Sequence, residues 1–271
     1  MNKTAKIIVA SVGILVIVFG GWQLFQPSEK KRIEQIENET KEVVDSYGSS
    51  TQRLIESTLT RKDLSGVSND YQTTIDVIGI TFQVPWERPS SVDDRGTAAE
   101  LTFPEGQRIT IMKAPSSSTP QKSLQEFDKD MPATSTKSLT LFNQELGKNF
   151  SGFDFFKYVL NTTPEDVSNA DNLKEAKARA RAIILKRGVA APISTNPQLF
   201  QTENVQGFQF GFPDQESPVY LQLMAKNPQS FYDIIIAEGA SKKVVDAIIS
   251  TTKIKDAETP QPTESDKFFS E

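Results

Sequence analysis

The chain has no histidine and no cysteine in its 271 residues. Their absence excludes every Ser-His-Asp and Cys-His nucleophile pair. It also removes the imidazole and thiolate ligands on which zinc, copper and haem sites usually rely. Disulfides are excluded as well, and compartment cannot be read from that, because an oxidising space permits disulfides without requiring them. Catalysis would then need an arrangement such as a Ser–Lys dyad or a carboxylate pair. No Ser–Lys signature occurs, since Asp130-Met131-Pro132 lacks a serine in the required preceding place. Among the 35 acidic residues no pair is singled out. The expectation is a non-enzyme with no catalytic residues, no cofactor and no metal.

A basic excess is lacking too. Thirty Lys and Arg stand against 35 acids, for a formal net charge of −5. That balance argues against nucleic acid as a partner.

What the chain does have is one long apolar run, from Ile7 to Phe25, broken only by small residues and Gln23 and preceded by Lys3 and Lys6. Its span is roughly 28 Å as a helix at 1.5 Å per residue, close to a bilayer's hydrocarbon thickness. Trp22 falls near its far end, where indole rings favour the membrane–water interface. The alternative is a cleaved signal peptide, but Val18-Phe19-Gly20 is a poor small-residue cleavage site. We expect residues 1–27 to be an uncleaved anchor and the protein to sit in the cell membrane as a single-pass protein.

Residues 28–66 read as an amphipathic helical stalk. Ile33, Ile36, Val43, Tyr47 and Leu54 fall near a seven-residue repeat, with Thr40 and Ser50 at intervening seam positions. The same stretch is open to two other readings, a helix packed on its own domain and a short dimerising coiled coil. Oligomeric state is not fixed by the sequence.

From Thr73 the period becomes alternating. Ile75 and Val77 precede Gly79, and Ile80, Phe82 and Val84 lead into Pro85. Two runs on either side of Pro104-Glu105-Gly106-Gln107 predict an antiparallel hairpin over 97–114. Ser123 with Glu126 three residues on predicts a capped helix. Leu139, Phe142 and Leu146 share a face before Gly147, and Ser151 opens a further helix. Thr163-Pro164-Glu165 predicts another helix start. Residues 172–187 read as a helix ending at Gly188, the expected C′ residue. Strands follow over 199–203, 205–210, 219–226 and 231–237, and 241–252 closes as a helix burying Val244, Val245, Ile248 and Ile249. The pattern defines an α+β domain over 73–254, an antiparallel sheet sandwiched by helices, with a helical insertion at about 134–190. The polar, Pro-containing stretch 255–271 is expected to be disordered.

The stretch Gly79-Ile80-Thr81-Phe82-Gln83-Val84-Pro85-Trp86 resembles the opening strand of the Mog1/PsbP-like fold, an α/β/α sandwich. The later order of hairpin, helix, paired strands and terminal amphipathic helix agrees with it over about 73–131 and 199–254. The resemblance implies a non-catalytic binding or assembly factor and carries over no functional residue. Read without it, Phe82 and Val84 bury on one strand face and Pro85 stops the ladder because it lacks an N–H. Trp86 then covers the sheet edge, with ligand stacking as its alternative role.

Three further features are candidate sites. The helix 172–187 carries Lys174, Lys177, Arg179, Arg181, Lys186 and Arg187 against Glu175, and Lys174, Lys177 and Arg181 share a face. They form a candidate interaction patch for anionic headgroups or an acidic partner. The alternative is a solvated face opposite Ala176, Ala180, Ile183 and Ile184. Residues 161–166 put polar groups at a helix junction, which suits anions or simple self-capping. Asn38-Glu39-Thr40, Asn149-Phe150-Ser151 and Asn161-Thr162-Thr163 match the glycosylation sequon without a setting that gives it weight.

The reading as a whole is a membrane-anchored binding or assembly module that contacts an unidentified protein partner, with small-molecule or lipid-headgroup binding as the alternative and a His-independent hydrolase third. Lys30, Lys31, Arg32 and Lys41 lie beyond the apolar run, but long domains translocate largely regardless of charge. The C-terminal domain is expected on the extracytoplasmic side. Protease added outside intact cells should digest that domain; digestion seen only after lysis would reverse the orientation.

Overall fold

A computed structural model describes residues 28–67, 71–114, 120–133, 135–189, 197–214, 218–225 and 230–255. The expected anchor and the expected polar tail lie outside the described residues. Among the described residues, no helix is long and apolar enough to cross a membrane. The chain divides into two compact units, Met1–Thr60 with Ser117–Gln198 and Arg61–Ser116 with Leu199–Glu271.

The α+β class stands, but the expected single antiparallel sheet is two sheets. The larger has eight strands in the order β1-β7-β8-β9-β10-β6-β5-β4: β1 (Thr60–Arg61), β4 (Ser91–Asp94), β5 (Ala98–Thr102), β6 (Arg108–Lys113), β7 (Gln198–Gln201), β8 (Val205–Phe210), β9 (Val219–Ala225) and β10 (Phe231–Glu238). It is mixed, because Thr60 N–H donates to Pro197 O and Lys62 N–H to Leu199 O in parallel register. The smaller sheet joins β2 (Thr73–Val77), β3 (Ile80–Val84) and β11 (Lys253–Ile254) in the order β11-β3-β2.

Alternation dictates the core of the sheet unit. Leu101 lies opposite Ile109, Ile111 opposite Ile234, and Ile234 opposite Leu221, so an aliphatic row crosses one face of the large sheet from β5 to β9. Ile75, Ile80, Phe82 and Val84 of the small sheet join that core, as do Val244, Val245, Ile248 and Ile249 of the closing helix. The β2–β3 hairpin turns through Ile78 (φ 42°) and Gly79 (φ 85°), the pair of left-handed residues a two-residue hairpin requires. Ile is a poor residue for that conformation. Its carbonyl accepts a hydrogen bond from the Tyr232 hydroxyl at 3.0 Å, which fixes the turn against β10.

The helical unit contains α1 (Glu29–Asp45), α2 (Ser49–Glu56), α3 (Pro120–Lys129), α4 (Ser138–Glu145), α5 (Gly152–Asn161), α6 (Pro164–Ser168) and α7 (Leu173–Val189). The eighth helix, α8 (Lys242–Thr251), belongs to the sheet unit. Residues 28–60, read from the sequence as a stalk, are part of the helical unit. Ile33, Ile36 and Val44 pack in one cluster with Val167 of α6 and Ala176, Ala180 and Ile183 of α7. The buried positions on α1 are Ile33, Ile36, Thr40 and Val44, a spacing of three, four and four that follows the 3.6-residue turn of a straight helix rather than a heptad seam. Ala182 faces a second cluster with Leu124, Phe142, Phe150, Phe155 and Val159. Helix α7 is thus buried on two sides, and its alanines let neighbours approach closely.

Two local boundaries differ from the sequence reading. Helix α3 begins at Pro120, so Ser123 lies within it rather than capping it. Helix α7 runs through Gly188 to Val189, so that glycine does not end it. Strands β1, β4 and β11 are short pieces that alternation does not reveal.

Gly207 marks the tightest backbone approach in the sheet unit. A Cβ there would lie 1.9 Å from Gln222 O and 2.8 Å from the Phe200 ring. Gly207→Ala is expected to destabilise the protein by about 3 kcal/mol or more, through overpacking and a displaced ladder. Urea denaturation followed by circular dichroism checks this.

Candidate functional site

The helical unit holds a recess of about 510 Å³ lined by Glu145 and Leu146 at the end of α4, Asp154, Lys157, Tyr158 and Asn161 on α5, Thr162, Asp166 on α6 and Arg179 on α7. Local sequence places each group. Helix α5 starts where Ser151 accepts from the Asp154 N–H at 3.0 Å, and it buries Phe155, Val159 and Leu160. Asp154, Lys157, Tyr158 and Asn161 then fall at i, i+3, i+4 and i+7, on one helical face. Helix α6 starts at Thr163, whose N–H and hydroxyl both donate to Asp166 Oδ2, at 2.7 and 2.9 Å. Residues 161–166 therefore cap their own helix, and the Asn161 carboxamide oxygen accepts from Leu59 N–H at 3.4 Å.

The electrostatics of the recess are uneven. Arg179 is already engaged: it pairs with Glu175, and its Nη1 donates to Asp166 O at 2.6 Å. Burial pushes the Glu145 carboxyl up from its ordinary value, and neighbouring Glu175 adds to that. The Tyr158 ring packs edge-to-face on Phe142 at 5.8 Å, and its hydroxyl is buried without a hydrogen-bond partner. Burial, then Glu145, push that phenol strongly upward. A buried hydroxyl with no partner costs about 1–3 kcal/mol, so Tyr158 is a stability liability in this state. Lys157 stands exposed at the rim.

The other buried ionic groups hold structure. Lys186 is fully buried, and its Nζ donates to Ile55 O at 3.0 Å, Ser57 O at 2.6 Å and Thr162 O at 3.1 Å. Burial pushes this ammonium down to about 8, while the three carbonyls occupy all of its N–H donors. Asp128 accepts from Ser138 N–H at 2.8 Å and Leu139 N–H at 3.0 Å and so caps α4 from a distance. In the sheet unit Lys62 pairs with Asp246 at 2.7 Å, with side chains only 5 % and 6 % exposed.

The candidate patch residues occupy different surroundings. Lys174 is exposed. Lys177 is half-buried, and burial with the nearby Arg32 pushes it down. Arg181 sets its guanidinium over the Phe127 ring at 5.7 Å and reaches the Met131 sulfur at 3.3 Å. Trp86, half-buried, meets Phe103 edge-to-face at 4.8 Å, and its carbonyl accepts from the Thr73 hydroxyl at 2.6 Å. None of these four lines the recess. Asn161, Thr162 and Asp166 of the candidate stretch 161–166 line the recess, while the sequence reading passed over Asp154, Lys157 and Tyr158 on α5, although their shared spacing was a usable signal. What it lacked was knowledge that α4 and α7 would close around that face.

Comparison with protein-family models, with curated proteins and with solved structures finds no match. The likeness to the Mog1/PsbP-like fold rests on the residues quoted for it.

Asp233 on β10 lies in register between Gln222 and Met112, on the sheet face away from the aliphatic core. Burial raises its carboxyl from 3.8 to about 6. Between roughly pH 4 and pH 6 the folded chain therefore keeps a proton that the unfolded chain loses, and stability falls as pH rises through that window. Asp233→Asn should stabilise the protein at pH 7 by about 2 kcal/mol, with the gain vanishing near pH 3. Denaturation of both forms across pH 3–7 measures the difference.

Proposed function

We propose that the protein is a membrane-tethered, non-catalytic binding module that holds a small polar ligand in the recess of its helical unit. The observation that carries this is a recess of about 510 Å³ whose lining includes Glu145, its carboxyl pushed up by partial burial, and Tyr158, its hydroxyl buried and unpartnered behind the wall. That volume lies in the range of metabolite-sized pockets, roughly 300–1,000 Å³. Polar groups that cost stability in the free state gain their partner when a ligand arrives. The apolar run from Ile7 to Phe25 supplies the tether, with the folded part on the extracytoplasmic side. The Mog1/PsbP-like character of Gly79 to Trp86 supports a binding role rather than a catalytic one.

A second reading, an adaptor working through protein–protein contacts, is favoured by β4. It ends the eight-stranded sheet, all four of its residues are exposed, and Val92 is 51 % exposed. An open strand edge offers main-chain hydrogen bonds to an added strand.

The two readings separate in one experiment on the full-length protein in detergent. A panel of small polar compounds, grouped by charge, is scored for a rise in melting temperature. A saturable shift that Arg179→Met or Asp154→Asn alters supports the recess. No shift from any compound, together with a stoichiometric protein partner recovered from native membranes, would replace it with the adaptor reading.

A further inference from the structure

Helices α1 and α7 run parallel and start together. Glu29 at the head of α1 accepts from the Leu173 N–H at the head of α7 at 3.0 Å. Ile33, Ile36 and Val44 then pack in one cluster with Ala176, Ala180 and Ile183, and past the end of α1 the Arg187 guanidinium lies over the Tyr47 ring at 4.9 Å. One end of the pair therefore gathers Lys30, Lys31 and Arg32 from α1 with Lys174 and Lys177 from α7. Lys177 is half-buried and the other four are exposed. Of the acids among them, Glu175 is paired with Arg179, which leaves Glu29, Glu34 and Asp171 against five cations. Arg181, the third member of the patch expected from the sequence, lies against Phe127 and Met131 and takes no part.

Chain length limits what this end can face. Phe25, the last residue of the apolar run, precedes Lys30 by five residues, which span at most about 18 Å when fully extended. Helix α1 packs sideways into the helical unit, so it cannot hold that unit off a bilayer as a free stalk would. Attraction between Lys or Arg and anionic headgroups acts within about a Debye length, roughly 8–10 Å at ordinary salt. Resting on the tethering through Ile7–Phe25, we infer that the shared start of α1 and α7 is the face the protein sets on its own membrane, where Lys30, Lys31, Arg32, Lys174 and Lys177 contact anionic lipid headgroups. The excess of positive charge is small, so the contact orients the helical unit and leaves anchorage to the apolar run.

The chain has no cysteine, so a single one introduced at an exposed site carries a fluorophore alone. Asn169→Cys, four residues before Leu173, reports on the proposed face, and Ser46→Cys, just past the end of α1, reports on the opposite end. Full-length protein with either label is placed in nanodiscs whose lipids bear a nitroxide on the headgroup. Quenching about threefold stronger at Asn169 than at Ser46 is expected with phosphatidylglycerol present. The difference should shrink in phosphatidylcholine alone and at about 1 M salt, where the screening length is roughly 3 Å. Lys31→Glu with Lys174→Glu, both exposed in the native chain, should remove the phosphatidylglycerol effect. Equal quenching at the two labels would overturn the inference and leave the tether standing. Stronger quenching at Asn169 that ignores lipid charge would also overturn it, and would leave these cations to an acidic protein partner. Protein that enters neither kind of nanodisc would remove the tether reading and this inference together.

Discussion

One ammonium group organises the helical unit. Lys186 sits near the end of α7, the helix buried on both sides, and is fully buried. Its three donors reach the chain after α2 at Ile55 and Ser57 and the end of α5 at Thr162. Segments far apart in sequence are thereby clamped at a single point, each through a carbonyl that a helix end leaves without a partner. Desolvating a charge is unfavourable on its own, and it is tolerated here because every N–H finds an acceptor. Thr162 is also part of the recess wall, so the same clamp that closes the unit sets the position of the candidate site.

The polar chemistry of the molecule divides along that line. Lys186, Asp128 and the Lys62–Asp246 pair are buried and fully or largely committed to backbone or to each other. Glu145 and Tyr158 are drawn out of water without such commitment. A desolvated group with its partners already in place is architecture; one without them is poised for something else. Asp233 and Gln209 are uncommitted too, so it is the recess beside Glu145 and Tyr158 that sets those two apart.

Much of the fold could be read along the chain, because strands and helices with one buried face announce themselves by period. The hairpin β5–β6, strands β8 to β10, helix α8 and the starts at Ser151 and Thr163 all follow from alternation, capping residues or helical spacing. What period could not give was partnership. The residues of α1 show an amphipathic stripe whether it faces a second chain, solvent or α7. Helix α7 concealed its role differently: with Ala176, Ala178, Ala180 and Ala182 all buried, its apolar surface wraps around it and cations interleave with it. That arrangement made Lys177 and Arg181 look like one solvated face, although Arg181 lies against Phe127 and Met131. Gln209, opposite Leu221 on the core face of β8, is a polar residue where alternation calls for an apolar one. The site was the least legible part, since it depends on three helices meeting around a face that α5 alone displays as ordinary surface polarity.

Each unit is built from two stretches of chain separated by the other, and this has a consequence for synthesis. Strand β6 pairs with β10, so Ile109, Ile111 and Met112 leave the ribosome long before Phe231–Glu238 exists to cover that edge. At roughly 5–20 residues per second the uncovered strand persists for many seconds. Under the proposed tethering through Ile7–Phe25, the nascent chain would cross the bilayer during that same interval. Passage through a translocon as an unfolded thread would keep β6 from pairing with another chain until its own partner strand emerges.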